Sequence, residues 1–302
     1  MSFTQRYTAH LGYAPPTLRP QFLDTVGSSD PVAHIEHAAR IGMAGIFDPW
    51  VMRRDPGELA EIGHALTDLG LSCGSIVCVP LEQVTAPLWT DRSRAGRAAL
   101  EGHVRTAATA ARTLGSSSLA VLVAADPSRT EEHQRDDAAA NLREMSLVAA
   151  DFGTDLAIEP MIALPNMLLR NIAATTAVVS AADAPGVGIL FDTGHVSVTD
   201  GDLLAAFEMA RGHISSIQIV DMPGRVEPGA GDLALAELLA TAVVSGYSGL
   251  IDFEHQWSSM SRDGEATGLA RLREFDRCVD TAIRARTTSD PNPHYSAHSG
   301  EA

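Results

Sequence analysis

The chain has 302 residues, 45% of them hydrophobic, and a formal net charge of -16, so it has ample material for one large core. Its 22 basic residues are all arginine, which excludes Schiff-base aldolase chemistry, lysine-anchored pyridoxal phosphate and the P-loop lysine. The acidic balance opposes non-specific binding to nucleic acid, and charges, glycine or proline interrupt each apolar run before it could span a membrane. Met1–His10 lacks the apolar centre of a signal peptide, and Cys73, Cys78 and Cys278 suggest neither a disulfide framework nor a zinc ribbon. The expectation is a cytoplasmic protein.

The elements follow a strand-then-helix alternation repeated eight times. Strand one lies near Tyr7–Tyr13, and Asp30 caps a helix with Pro31 at its first position, running to Ile41. Strand two, Ala44–Phe47, ends at Asp48-Pro49-Trp50. Asp55-Pro56-Gly57-Glu58 has the form of a capping box, and the helix it opens stops at Gly70. Strand three spans Leu71–Val79, followed by an insertion, Pro80–Trp89, and a long alanine-rich helix from Asp91 to Leu114. Strand four is Ser118–Ala125, and Thr130 caps a helix reaching Phe152. The second half repeats the scheme: strand Asp155–Glu159, helix Asn171–Ala182, strand Val187–Phe191, helix Gly201–Arg211, strand Ile214–Val220, helix Leu233–Ser245, strand Leu250–Phe253 and helix Gly264–Arg286. Thr287–Ala302 reads as a flexible polar tail.

Several strands, Leu119–Ala124 and Val187–Phe191 among them, are nearly continuous apolar runs, as expected of parallel strands covered on both faces. Eight such units close into a single-domain (β/α)8 TIM barrel over residues 1–286. An open doubly wound sheet lacks support, because no strand is followed by a G-x-G-x-x-G turn.

In a barrel of this kind the chemistry gathers at the C-terminal ends of the strands. Four consecutive strands carry Glu159, Asp192, Gln218 and Glu254 there. A lone acidic residue at a strand end is more often a helix cap, and a lone glutamine more often satisfies backbone groups. Joint placement on neighbouring strands points to a shared site. Three carboxylates and an amide oxygen form a hard-oxygen set suited to one divalent cation, Mn²⁺ or Mg²⁺. Without a cation the converging carboxylates would repel one another. Trp50, Trp89 and Trp257 fall in loops on the same face, and Trp50 and Trp257 are candidates to wall the substrate pocket.

At these residues the sequence resembles the sugar isomerase/epimerase group of xylose-isomerase-like barrels, and within it the hydroxypyruvate isomerase family. The segment Ser216–Asp232, SIQIVDMPGRVEPGAGD, follows that family's I-Q-I-A-D segment, proline and arginine, then E-P-G-T-G-E. Glu159-Pro160-Met161, Asp192-x-x-His195 and Glu254 fit as well. The resemblance implies that Glu159, Asp192, Gln218 and Glu254 bind the cation and that Glu159 and Glu254 form the acid/base pair. It places His195 and Arg225 on substrate oxygens and puts Glu227 in the same substrate group, bracing Arg225. The implied substrate is a small polyhydroxy carbonyl compound, and the implied assembly a homo-oligomer.

Two departures bear on the substrate. Ile162-Ala163-Leu164-Pro165-Asn166 replaces the family's Arg-Asp pair before Met-Pro-Gly, and His255-Gln256-Trp257 replaces Tyr-Lys-Pro. An anionic substrate such as hydroxypyruvate loses charge partners at both places. The rival functions are a metal-dependent dehydratase of the 3-dehydroshikimate or inosose type, a subunit of a C-glycoside-cleaving complex, and an endonuclease IV-type nuclease. The last needs a histidine-rich zinc cluster where this chain has Gln218.

Overall fold

A computed structural model describes residues 3–12 and 19–289; Tyr13 and most of the tail expected at residues 287–302 fall outside them. The nine strands are β1 (Tyr7–His10), β2 (Gly45–Phe47), β3 (Ser72–Cys73), β4 (Ile76–Val77), β5 (Ser118–Val121), β6 (Asp155–Ile158), β7 (Val187–Asp192), β8 (Ile214–Ile219) and β9 (Ile251–Phe253). All pair in parallel in the order β3-β2-β1-β9-β8-β7-β6-β5-β4. Because β3 and β4 are two halves of one broken strand, this order describes an eight-stranded TIM barrel.

The helices form the outer layer: α1 (Leu23–Val26), α2 (Pro31–Ile41), α3 (Pro56–Leu69), α4 (Arg94–Leu114), α5 (Glu131–Ala150), α6 (Ile172–Ala182), α7 (Thr193–Thr199), α8 (Leu203–Ala210), α9 (Leu235–Val244) and α10 (Arg262–Ser289). No helix among the described residues is long and apolar enough to cross a membrane. The caps follow the sequence in part. Asp30 accepts from the Val32 N–H, and Asp55 accepts from the Gly57 and Glu58 N–H groups. Glu58 does not complete a capping box; it pairs with Arg54. Thr130 makes no side-chain cap and meets His133 at 2.9 Å. The helix α10 continues to Ser289, past the expected end at Arg286.

The expected single strand Leu71–Val79 is interrupted at Gly74-Ser75 by an acid from across the barrel. Asp252 on β9 accepts from the Ser75 N–H at 3.0 Å and from the Thr8 hydroxyl at 2.9 Å. A Cβ on Gly74 would stand 1.9 Å from the Asp252 Oδ1, so only glycine admits this approach. Beside it the Ser75 hydroxyl lies 2.6 Å from that of Ser216 and 3.0 Å from that of Ser118. The lower barrel interior is therefore hydroxyl-lined around one buried carboxyl group.

Burial pushes Asp252 up from 3.8 to about 7, against the hydrogen bonds from Ser75 and Thr8. Its stabilising contribution is full below the unfolded value and disappears as pH rises through the folded one. Relative to Asp252→Asn, the native chain is expected to lose about 1.4 kcal/mol per pH unit across that window. Urea midpoints of both proteins over a pH series check this; a pH-independent difference would contradict it.

Candidate active site

The four late strands deliver their polar ends to one mouth. Glu159 follows β6, Asp192 ends β7, Gln218 sits in β8 in register with Asp192, and Glu254 follows β9. Glu159, Gln218, Glu254, His195 and Arg225 line a cavity of about 510 Å³, whose wall also includes Trp50. Asp192 is fully buried beside it.

Local sequence explains the placement of Asp192 and His195. The Asp192 Oδ1 accepts the His195 N–H at 2.7 Å, which makes it the N-cap of α7. That short helix was not expected, because Asp192-Thr193-Gly194-His195 is rich in poor helix formers; the buried cap starts it. It turns the His195 Nε2 to 3.5 Å from the Glu159 Oε1. Ligand atoms of Glu159, Asp192 and His195 lie within 4.8 Å of one another.

Arg225 closes the cluster from the β8 side. Its guanidinium donates to the Asp192 Oδ2 at 2.9 Å and to the Glu254 Oε2 at 3.0 Å. The residue holds φ 51, a left-handed conformation unusual outside glycine. Asp221 supports this loop: its carboxylate accepts the N–H groups of Met222, Gly229, Gly231 and Leu233. No role for Asp221 is expected from its position in the I-Q-I-V-D segment; the fold reveals it.

Gly194 gives Arg225 its room. A Cβ there would meet the Arg225 Nη1 at 2.5 Å and the Val220 Cγ1 at 2.7 Å. Gly194→Ala is expected to cost about 1–3 kcal/mol by overpacking and to loosen the Arg225–Asp192 pair. Denaturant unfolding checks the first effect; an unchanged midpoint would mean the loop yields freely.

The electrostatics are strongly coupled. Burial and the neighbouring Asp192 push Glu159 up to about 8, with Arg225 opposing. Glu254 is likewise driven well above the carboxylate range, chiefly by burial. Burial also acts to raise Asp192, but Arg225 and His195 outweigh it and hold that carboxyl below its usual range. Burial keeps His195 below its ordinary value, assisted by Arg225 against the pull of Asp192. The cluster thus carries one stable ion pair and two carboxyl groups that lack a full counter-charge.

Two expected substrate residues turn elsewhere. Glu227 is buried, accepts from the Ser258 N–H at 2.7 Å and the Ser258 hydroxyl at 2.8 Å, and pairs with Arg271 of α10. It ties down the loop bearing Arg225 and does not line the cavity. Trp257 is buried against Phe22 and His255, its ring N–H donating to the Gln21 carbonyl. Trp50 does face the cavity, with its ring N–H on the Gly12 carbonyl at 2.9 Å and the Arg53 guanidinium over the ring at 4.9 Å.

The donor set fits a hard divalent cation. The Gln218 Oε1 is buried with no hydrogen-bond partner among the described residues. An orphan acceptor of this kind costs about 1–3 kcal/mol, and a cation beside the acids satisfies it. His195 stands close enough to the acid pair to join the donors, a role the sequence did not suggest.

A parallel barrel with an acid-rich cluster at its C-terminal mouth defines a class of enzyme-bearing folds. This chain belongs to the xylose isomerase-like TIM barrel family, whose model matches residues 35–275. It is 30% identical over 243 residues, 74% of this chain and 85% of the other, to a Streptomyces coelicolor protein provisionally named hydroxypyruvate isomerase. It is 29% identical to the 2-oxo-tetronate isomerase of Pectobacterium atrosepticum over 126 residues, 41% of this chain; the match spans 48% of that relative's length. Among solved structures, an L-ribulose 3-epimerase superposes with a TM-score of 0.74 at 19% identity, covering 96% of this chain and 100% of that one. At that identity the likeness concerns the fold.

Proposed function

We propose that this chain is a divalent-cation-dependent isomerase or epimerase that removes a carbon-bound proton from a small, sugar-like hydroxy-carbonyl compound and returns one to the adjacent carbon or, in an epimerisation, to the opposite face of the same carbon. The observation that carries the proposal is the orphaned Gln218 Oε1 facing the same cavity as Glu159 and Glu254. The names of the relatives support the same reaction class.

Glu159, Asp192, Gln218 and Glu254 would hold the cation, Mn²⁺ or Mg²⁺, with His195 near enough to contribute. When bound it supplies Lewis-acid stabilisation of negative charge on substrate oxygens. Glu159 and Glu254 are the acid/base pair. They reach the cavity from strands separated by β7 and β8, so they meet a substrate from different sides. One carboxylate takes the carbon-bound proton to leave an enediolate; the other, as a carboxylic acid, returns a proton to the adjacent carbon while the enediolate's hydroxyl proton passes to the neighbouring oxyanion, so that the carbonyl and hydroxyl exchange places. Carboxyl groups raised by burial suit that exchange, because neither is locked in its ionised form.

Arg225 pairs with Asp192 and Glu254, which fixes both carboxylates, and as a lining residue of the cavity it would also donate to a substrate oxygen. His195, whose imidazole burial holds below its ordinary value, serves as a hydrogen-bonding group for a second oxygen. The testing experiment is incubation of the Mn²⁺-loaded protein with dihydroxyacetone in D₂O. Deuterium entering carbon without loss of water supports the proposal. Elimination of water would indicate the dehydratase chemistry, and no exchange in any hydroxy-carbonyl compound tried would overturn proton transfer as the reaction.

A further inference from the structure

The cavity has two unlike halves, and the acid cluster accounts for only one of them. The half formed by the loops after β4, β5 and β6 is apolar: Leu81, Val84, Leu122, Met161 and Leu164 line it. Val84, Leu122 and Met161 pack with Val79, Ala124 and Met167 in a hydrophobic cluster separate from the main core. This wall is thus supported from behind and keeps its shape. Phe47 and Trp50 add aromatic surface at the mouth.

The arginines at the cavity are already paired. Arg53 pairs with Glu82 and lies over Trp50, while Arg225 pairs with Asp192 and Glu254. No lysine exists in the chain. Among the described lining residues there is accordingly no unmatched cation to receive a carboxylate or a phosphate on the substrate. A three- or four-carbon polyol would also leave most of the space unfilled, since about 510 Å³ lies within the range of about 300–1,000 Å³ typical of drug-sized ligands. Water held against five aliphatic side chains would find few hydrogen-bond partners.

We infer that the substrate is an uncharged hydroxy-carbonyl compound bearing an aromatic ring, with the ring seated against Leu81, Val84, Leu122, Met161 and Leu164. The inference rests on the proton-transfer reading above and adds the substrate class to it. The hydroxy-carbonyl end lies toward Glu159 and Glu254, and the ring fills the apolar half, with Met161 in its wall and Trp50 at the mouth, residue types that make favourable contacts with an aromatic ring. This arrangement sets the chain apart from relatives whose names denote carboxylate substrates.

The test compares three probes on the Mn²⁺-loaded protein: 2-hydroxyacetophenone, dihydroxyacetone and hydroxypyruvate. Affinity is read by calorimetry and carbon-bound deuterium exchange by NMR. The ring-bearing ketone is expected to bind about tenfold or more tighter than dihydroxyacetone, and hydroxypyruvate no tighter than dihydroxyacetone. Leu164→Asn and, independently, Leu81→Asn should bring the ratio between the two ketones to within about threefold; because the ratio is internal to each protein, reduced yield or stability does not mimic this result. Equal affinities for the ketones in the native protein, a preference for hydroxypyruvate, or a ratio that neither variant changes would overturn the inference. If dihydroxyacetone alone exchanges, the proton-transfer reading stands and the ring site fails. If no probe exchanges, the reaction itself is contradicted.

Discussion

Glu159→Gln and Glu254→Gln are each expected to lower carbon-proton exchange by about 10²–10⁴-fold, the usual contribution of a positioned acid or base. Glutamine keeps the size and hydrogen-bonding outline of each side chain while removing the titrating proton. Both residues are raised by burial, so the amides relieve a desolvation cost and should leave the barrel at least as stable as before. Activity and stability therefore move in opposite directions, a pattern that general damage to the fold does not produce. The two variants differ in one respect: Glu254→Gln also weakens a contact of Arg225, so its substrate affinity should fall with its rate. Exchange kinetics in D₂O and thermal melts on the same preparations check both statements. Exchange within about threefold of native in either variant would remove that residue from the acid/base pair.

The second large effect concerns Gln218, whose substitution should change sign with the cation. In the metal-free protein Gln218→Leu removes a buried acceptor with no partner among the described residues, so it is expected to be neutral or stabilising, by up to about 1–3 kcal/mol. With Mn²⁺ present at about 100 times its Kd, the native protein gains about 2.7 kcal/mol by mass action, a rise of about 5 °C in Tm. The leucine variant should gain much less, because one of its oxygen donors is gone. Chelation with EDTA should return the native protein to the metal-free value. Paired melts of both proteins, with and without Mn²⁺, decide the matter; parallel shifts in the two would show that Gln218 is not a ligand.

Most of what places the site was readable from the strand ends. Parallel strands buried on both faces read as apolar runs, and a polar residue ending such a run is conspicuous: Glu159, Asp192, Gln218 and Glu254 were found in this way, and all lie at one mouth. The register of Asp192 with Gln218 follows from the closed parallel sheet. What the sequence concealed depends on partners distant along the chain. Glu227 sits on a motif position, yet its direction is set by Arg271, 44 residues later. Trp257 lies in a loop at the active-site face, but its ring N–H is claimed by the Gln21 carbonyl, which draws it into the core. The break in strand three arises because Asp252 reaches across the barrel to Ser75, 177 residues away in sequence. The apolar wall was hidden for a different reason: Leu81, Val84 and Leu164 lie in segments between regular elements, where no periodicity marks a shared face.

The oxygen cluster is held by a chain of contacts. Asp221 and Glu227 fix the loop, the loop fixes Arg225, and Arg225 with the α7 cap fixes Asp192 and Glu254. Their burial leaves excess acid and, among the described residues, one unsatisfied amide oxygen, an arrangement that the proposed cation would complete.

The central claim is tested most directly by soaking crystals in Mn²⁺ and locating the ion by anomalous scattering. One strong peak per chain is expected at the mouth of the barrel, coordinated by oxygens of Glu159, Asp192, Gln218 and Glu254. An empty mouth in crystals saturated with Mn²⁺, or an ion bound only elsewhere on the chain, would contradict it.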